Sequence, residues 1–204
     1  MKNLIEIVDN DSFVVDLMYA GTKHNMTGRA IYAEIGLGNH AYVHEDLWEA
    51  LQKLLPYLKS TNRKLKIYDA WRPVGAHRKL FELIPKDGFF IAEAEKSPHC
   101  RATAIDVALI DANGKELVYP TLVDAYNEKY AKEVQSGKLE GFFEYLKQAS
   151  LDYYTKTMQE EITNREELYQ LMLNIGLVPT PRRHEWWHYE LPKARTEQYP
   201  VIDF

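Results

Sequence analysis

The sequence predicts an α+β fold in which a small, mostly antiparallel sheet is flanked by helices. Segments that alternate apolar and polar residues, as strands do, are interspersed with segments of helical spacing. Hairpin signals between some of them favour antiparallel pairing over a doubly wound parallel sheet. Because no repeat or Pro/Gly/Ser-rich linker divides the 204 residues, we expect a single domain that spans residues 1–204.

The first predicted elements are a helix, a strand and a second helix. Leucines recur with helical spacing over residues 44–59. Apolar and polar residues then alternate over residues 64–71, and this strand should end at Pro73, whose nitrogen cannot donate a ladder hydrogen bond. Residues 75–84 are expected to form a short helix.

A second strand is predicted over residues 102–110, where apolar side chains alternate between two faces. Ile105 lies on the more apolar face, and Asp106 lies on the other. Asn113-Gly114 is a turn signal, so residues 116–119 should pair back on this strand as a hairpin.

The C-terminal part is predicted to be helical and then to complete the sheet. Helical spacing covers residues 139–176, and Thr163 with Glu166 has the pattern of a capping box at the start of the last helix. Gly176 should end that helix. The aromatic residues 186–191 are expected to form a final strand.

Composition and charge exclude several classes of function. The net charge is −5 and the pI is about 5.8, so no global basic field is available to bind nucleic acid or an anionic membrane. The lone Cys100 excludes an internal disulfide framework and a C-x-x-C motif. Without a signal-peptide pattern or a long apolar run, we expect a cytoplasmic protein, or a periplasmic one if an export signal was trimmed. The sequence does not indicate the oligomeric state.

Three clusters of residues could carry chemistry, and they cover residues 68–73, 97–106 and 184–188. In the second cluster, His99 precedes the predicted strand that contains Asp106. A carboxylate in such an apolar segment is costly to bury without a cation or hydrogen-bond partners. On its own, this pair favours an ion pair between Asp106 and an arginine, beside a solvated histidine.

The third cluster adds His188, with Glu185 three residues earlier. Two histidines and one carboxylate are typical of catalytic zinc sites, in which the fourth tetrahedral position is left for water. Glu185 would then be available as a general base. We expect the intervening Trp186 and Trp187 to form a wall that orients the site.

Residues 184–188 also spell H-E-x-x-H, the signature of zincin peptidases. That motif must lie on a helix so that both histidines share one face, and the short aromatic segment after Pro181 disfavours a helix. We expect Glu185 at a loop-to-strand junction, with a bend before Trp186. His184 should then point away from the site and be dispensable.

Taken in order, the segments YDAWRP, SPHCRATAID and EWWHYE resemble the D-alanyl-D-alanine dipeptidases of the VanX type, within the wider family of zinc D,D-peptidases. That family has the pattern S-x-H-x-x-G-x-A-x-D followed by E-x-x-H, with an upstream R-P, and the similarity covers essentially the whole chain. Ala102 stands where the family has glycine, so the loop after His99 could differ in shape. Residues 127–160 are unlike the family, which leaves the wall of the cleft undefined.

The resemblance implies zinc-dependent hydrolysis of D-Ala-D-Ala or a closely related D-amino-acid dipeptide, with one zinc ion per chain carried by the sheet. It implies three zinc ligands, His99, Asp106 and His188. It implies a general base and acid, Glu185, and a group that stabilises the oxyanion, Arg72. The residues that would contact the termini of the substrate are Ser97, Tyr19 and Asp124.

Two other functions stay open. A D,D-carboxypeptidase that trims longer peptidoglycan stem peptides would share this chemistry. It would differ in whether the cleft is closed beyond the free amine of the substrate, near Asp124. A non-catalytic zinc-containing module that binds peptidoglycan would keep the metal but would need neither Glu185 nor Arg72.

Overall fold

The computed structural model of the chain describes residues 3–23, 25, 27–83, 91–125, 136 and 140–203. The predictions for residues 84, 127–135 and 137–139 lie outside these described residues. None of the described helices is long and apolar enough to cross a membrane.

The architecture is α+β, as predicted. The strands are β1 Leu4–Ile7, β2 Phe13–Val15, β3 Ala41–His44, β4 Arg63–Asp69, β5 Ala104–Asp111, β6 Val178–Pro179 and β7 His188–Glu190. The helices are α1 Ile31–Glu34, α2 Glu45–Gln52, α3 Leu55–Thr61, α4 Val74–Leu83, α5 Glu140–Ala149 and α6 Gln159–Asn174.

The main sheet has the strand order β2-β4-β5-β7-β6. Only β2 and β4 pair in parallel, and the other neighbours are antiparallel, so the prediction of a mostly antiparallel sheet is confirmed. A second, two-stranded antiparallel sheet joins β1 to β3. Apolar side chains of the sheet, such as Leu65 and Val107, share one buried core with Leu168 and Met172 of α6.

An irregularity in the β4–β5 ladder places three polar residues in one row. The register shifts between Ile67 and Asp69, and Asp69 then pairs with Asp106. Asp106 pairs in turn with His188 on β7. Because directly opposed residues point to the same face of a sheet, the three side chains lie side by side. Such bulges often re-aim side chains next to active sites.

The predicted helix over residues 44–59 is two helices in the structure, α2 and α3. The break precedes Pro56, which occupies the first turn of α3. Proline lacks the amide hydrogen that would continue the ladder and its ring clashes with the carbonyl four residues earlier. The leucine spacing therefore predicted the buried face but not the break.

The predicted capping box is wrong. Helix α6 already begins at Gln159, and Thr163 lies inside it, where its hydroxyl donates a hydrogen bond to the carbonyl of Gln159. The first turn contains Glu160 and Glu161, whose charges favour a helix N-terminus. Loop residues separate α6 from α5, so the predicted helical segment is interrupted.

The remaining strand predictions hold in shortened form. The hairpin after β5 is reduced to a single bridge between Ile110 and Glu116. The closing strand is confined to β7, because residues 186 and 187 form a turn. Strands β1, β2, β3 and β6 were not predicted.

Candidate metal centre and active site

Three side chains from separate parts of the chain converge at one end of the row that Asp69, Asp106 and His188 form across the sheet. His99 Nε2 lies 3.2 Å from His188 Nδ1, and His188 Nδ1 lies 3.0 Å from Asp106 Oδ1. His99 Nε2 is 3.5 Å from the same Asp106 oxygen. All three residues are buried, with 2–5% of their surface exposed. Among the described residues, they form the cluster of histidine, cysteine and acidic side chains able to hold a metal ion.

The donor set fits a zinc ion. Zinc binds histidine nitrogen and carboxylate oxygen at about 2.0–2.2 Å, so tetrahedral ligands lie about 3.3–3.5 Å apart. The three separations in this cluster, 3.0, 3.2 and 3.5 Å, are close to that spacing. Two imidazoles and one carboxylate leave a fourth position open, as in catalytic sites.

Both histidines use their outer ring nitrogen to bind the protein. His99 Nδ1 lies 2.8 Å from the backbone carbonyl of Ala70, and His188 Nε2 lies 3.2 Å from Oε2 of Glu190. In each case an acceptor holds a proton on the outer nitrogen, so the inner nitrogen is the one that can offer its lone pair to a metal ion once any proton on it is displaced. This is the tautomer that a metal ligand requires.

The charges in the cluster also favour a cation. Burial alone would raise the pKa of Asp106, but His99 and His188 hold that pKa well below its usual range. Burial acts to lower the pKa of His188, but hydrogen bonds with Asp106 and Glu190 raise it to about 10. Without a metal, His188 therefore stays protonated, and a metal ion that binds to the cluster would displace that proton.

Arg72 lies beside the cluster in a buried ion pair. Its Nε donates a hydrogen bond to Oδ2 of Asp69 at 2.9 Å, and its Nη2 donates to the same oxygen. The other Asp69 oxygen accepts hydrogen bonds from the Tyr32 hydroxyl and from the amide of Ala70. Burial tends to lower the pKa of Arg72, but Asp69 raises it above its usual value, so the guanidinium stays charged.

The loop that carries Arg72 is tied to the loop that carries His99. The amide of Arg72 donates a hydrogen bond to the carbonyl of His99 at 3.1 Å. The first and second sequence clusters therefore meet through backbone as well as through the contact between His99 and Ala70. These contacts hold two segments that are separated in sequence next to each other.

Glu185 lies in a loop, and β7 begins at His188 after a turn at Trp186 and Trp187. The amide of His188 donates to the carbonyl of Glu185, which closes the turn. The chain therefore changes direction at Trp186 and Trp187 rather than before Trp186, and the helix that a zincin motif requires is absent from this described segment. Trp186 and Trp187 are both buried and pack edge to face.

The expectation that His184 points away from the site is wrong. His184 is outside the cluster of potential metal ligands, but it lines the same cavity as Glu185, with its Nε2 3.6 Å from Glu185 Oε1. The turn begins only after Glu185, so both residues precede the change of direction and stay on the cavity side.

All eight residues that the sequence predicts for the site line one cavity of about 260 Å³. They are Tyr19, Arg72, Ser97, His99, Asp106, Asp124, Glu185 and His188. Ligand pockets in proteins are commonly about 300–1,000 Å³, so this cavity is suited to a small molecule.

Asp124 and Tyr19 form the acidic side of the cavity. The Tyr19 hydroxyl donates a hydrogen bond to Oδ2 of Asp124 at 2.8 Å. Burial, followed by the negative charges of Asp106 and Glu185, raises the pKa of Asp124 to about 7. Asp124 also has a left-handed backbone, with φ of 47°, an uncommon conformation that often marks functional positions.

Comparison with known proteins identifies the chain's family. The Peptidase_M15 family model, described as D-ala-D-ala dipeptidase, matches residues 4–203. The D-alanyl-D-alanine dipeptidase of Escherichia coli strain K12 is 29% identical over 206 residues, which covers 99% of this chain and 92% of that protein. The chain belongs to the Peptidase_M15 family.

Membership of Peptidase_M15 makes the protein a metallopeptidase that acts on a small peptide. The resemblance inferred from the three motifs is confirmed. The departure at Ala102 has a structural counterpart, since Ala102 adopts a left-handed backbone with φ of 56° and ψ of 24°. Glycine adopts that conformation freely, so alanine occupies this backbone position at some cost in free energy.

Several residues in or next to the candidate site were not predicted from the sequence. Asp69 was visible three residues before Arg72, a spacing that could have suggested an ion pair. Glu190 was visible two residues after His188, on the same face of a strand. His77 lines the cavity as a buried residue, and burial lowers its pKa to about 3. No sequence signal pointed to Arg195, which also lines the cavity.

Proposed function

We propose that this chain is a zinc-dependent dipeptidase that hydrolyses D-Ala-D-Ala or a closely related D-amino-acid dipeptide. The observation that carries the proposal is the convergence of a two-histidine, one-carboxylate cluster with Arg72, Glu185 and Asp124 in one small cavity. The relative from Escherichia coli is named for D-alanyl-D-alanine, which supports this class of substrate.

Zinc would be held by His99, Asp106 and His188, one ion per chain. When bound, zinc supplies Lewis acidity, which polarises a carbonyl group and lowers the pKa of water to about 7. The contacts that support this assignment are the inward-facing nitrogens His99 Nε2 and His188 Nδ1, each fixed by an acceptor on its outer nitrogen.

Arg72 would stabilise the negative charge that develops on the carbonyl oxygen of the scissile bond. Asp69 takes up two of the five N–H donors of this guanidinium, so others remain for a ligand in the cavity. A buried, oriented and permanently charged donor needs little reorganisation when the oxyanion forms.

Glu185 would act as general base and then as general acid. It would accept a proton from the attacking water and return it to the nitrogen of the leaving amine. Its side chain is 21% exposed and lines the cavity, so a substrate and a water molecule can both reach it. The turn that joins Glu185 to His188 keeps this base close to the cluster.

Asp124 would bind the free ammonium group of the dipeptide, with Tyr19 positioning its carboxylate. A carboxylate whose pKa is raised by burial and by two nearby acidic groups is stabilised by an incoming cation. Ser97 is buried at 3% exposure and lines the same cavity, where its hydroxyl would contact the other terminus of the substrate.

The size and charge of the cavity favour a dipeptidase over a carboxypeptidase. An N-acylated substrate would bring an uncharged amide, and further residues, against Asp124. That carboxylate would then lack its cationic partner, which is costly inside a partly buried site. A non-catalytic module is disfavoured because it would need neither the Asp69–Arg72 ion pair nor Glu185.

The test is the rate of hydrolysis of free D-Ala-D-Ala compared with an N-acylated tripeptide that ends in D-Ala-D-Ala. The proposal predicts cleavage of the free dipeptide only, and a raised KM in Asp124→Asn. Faster cleavage of the tripeptide would indicate a carboxypeptidase. A protein that binds zinc but cleaves neither peptide would indicate the non-catalytic module.

A further inference from the structure

Glu190 is a buried carboxylate that none of the proposed catalytic steps uses. It lies two residues after His188 on strand β7, and alternate residues of a strand point to the same face. Only 5% of its surface is exposed. Because an unpaired carboxylate is costly to bury, the partners of Glu190 show what it does in the fold.

Glu190 connects a cluster histidine to an arginine. Its Oε2 lies 3.2 Å from His188 Nε2 and accepts a hydrogen bond from Nη2 of Arg195 at 2.8 Å. Arg195 Nε lies 3.1 Å from Oε1 and 3.2 Å from Oε2. Such two-nitrogen contacts between arginine and a carboxylate fix the orientation of both groups.

The far side of Arg195 is also anchored. Its Nη1 donates a hydrogen bond to the backbone carbonyl of Lys96 at 3.3 Å, in the segment that leads into Ser97 and His99. The chain of contacts therefore runs from the loop before His99, through Arg195 and Glu190, to His188. It links the backbone near one cluster histidine to the side chain of the other.

We infer that Glu190 is a positioning residue for His188, and that Arg195 holds Glu190 in place. The inference rests on the proposed metal site. Glu190 accepts the proton of His188 Nε2, so Nδ1, which faces His99 and Asp106, is the ring nitrogen left to bind a metal ion. His99 obtains the same support from the backbone carbonyl of Ala70, which a side-chain substitution leaves in place.

The test is the zinc dissociation constant of Glu190→Ala and Glu190→Gln, measured by competition with a chromophoric chelator. Loss of the carboxylate should weaken zinc binding by roughly 10- to 100-fold. Glu190→Gln should weaken it less, because the amide oxygen can still accept the proton of His188 Nε2. Substitution of the exposed Glu197 by alanine is the matched control and should leave the constant unchanged.

The absorption spectrum of the cobalt-substituted protein gives a second readout, independent of turnover. It should change in Glu190→Ala, because the His188 ring is no longer held, and stay the same in Glu197→Ala. If Glu190→Ala does not fold, as judged by circular dichroism, Arg195→Ala decides. The Arg195→Ala variant should fold and should bind zinc more weakly than the unaltered chain, by a smaller factor than the one expected for Glu190→Ala.

Two results would overturn the inference, and they differ in what else they overturn. If the unaltered chain binds one zinc ion and a folded Glu190→Ala or Arg195→Ala binds it equally well, only the role of Glu190 fails. If the unaltered chain binds no zinc, the proposed metal site fails as well.

Discussion

Asp69 holds Arg72 through a single carboxylate oxygen, which accepts hydrogen bonds from both Nε and Nη2 of the guanidinium. The two residues are three positions apart, on either side of the end of strand β4. Asp69 is fully buried and its second oxygen is occupied by Tyr32 and the amide of Ala70. The ion pair therefore fixes where the charge of Arg72 lies in the cavity.

Asp69→Asn should lower turnover while the zinc content stays the same. Asparagine keeps the shape of the side chain but loses the charge that orients Arg72. The loss should be smaller than that of Arg72→Ala, for which roughly 100- to 1,000-fold is expected from the removal of an oxyanion donor. Steady-state kinetics and metal analysis check both variants.

Glu34→Gln is the matched control for Asp69→Asn, since Glu34 forms an ion pair with Arg29 at the protein surface. It should leave turnover unchanged. An unchanged kcat in Asp69→Asn, or a loss of its zinc, would show that Asp69 does not act through Arg72.

Glu185 and His184 are neighbours in the cavity wall and should respond differently to substitution. Glu185→Gln should keep zinc and lose roughly 100- to 10,000-fold in turnover, the usual contribution of general acid–base catalysis. His184→Ala should keep zinc and most activity, because His184 lies outside the metal cluster. Loss of zinc in His184→Ala would favour the zincin arrangement.

The stability of the metal-free protein should fall as Asp124 ionises. Its pKa is about 7 in the fold, raised by burial and by Asp106 and Glu185, against a value of about 3.9 in an unfolded chain. The folded state therefore favours the protonated form. That contribution to stability is fully present below about pH 4 and is lost as the pH rises through 7.

Asp124→Asn cannot ionise, so it removes this pH dependence. In urea denaturation of the metal-free proteins, the free energy of unfolding of the variant relative to the unaltered chain should rise between pH 5 and pH 8. A difference that does not change with pH would contradict the raised pKa of Asp124.

Ala102→Gly should leave activity intact and stabilise the protein slightly. A left-handed backbone costs an L-residue about 1–2 kcal/mol, and the extra entropy that glycine loses on folding offsets roughly 0.5–1 kcal/mol of the gain. The expected increase in the free energy of unfolding is therefore up to about 1.5 kcal/mol. Ala50→Gly, inside α2, should instead destabilise by about 1 kcal/mol.

The sequence predicted the strands that carry the candidate site better than it predicted the edges of the fold. The segments around Arg72, Asp106 and His188 contain the inner strands β4, β5 and β7 of the main sheet and the loops that flank them. The motif residues converge because β4, β5 and β7 are neighbours in the sheet. Spacing alone could not reveal the register that aligns Asp69, Asp106 and His188.

Short edge strands gave no signal, because their pairing depends on distant partners. Strand β2 has three residues and pairs with β4, and β6 has two and pairs with β7. The capping box failed for a similar reason, since a local pattern at Thr163 could not show that the helix had already begun. The contact between Glu190 and Arg195 could likewise not be predicted from a local pattern, and only the folded structure reveals it.

Hydrolysis should depend on one zinc ion held by His99, Asp106 and His188. The most direct test is to strip the protein of metal and to follow the rate of D-Ala-D-Ala hydrolysis as zinc is added back. Activity should rise from near zero and reach its plateau at about one zinc per chain, and Asp106→Ala should show no such rise. Full activity in the stripped protein, or full restoration of Asp106→Ala by stoichiometric zinc, would contradict it.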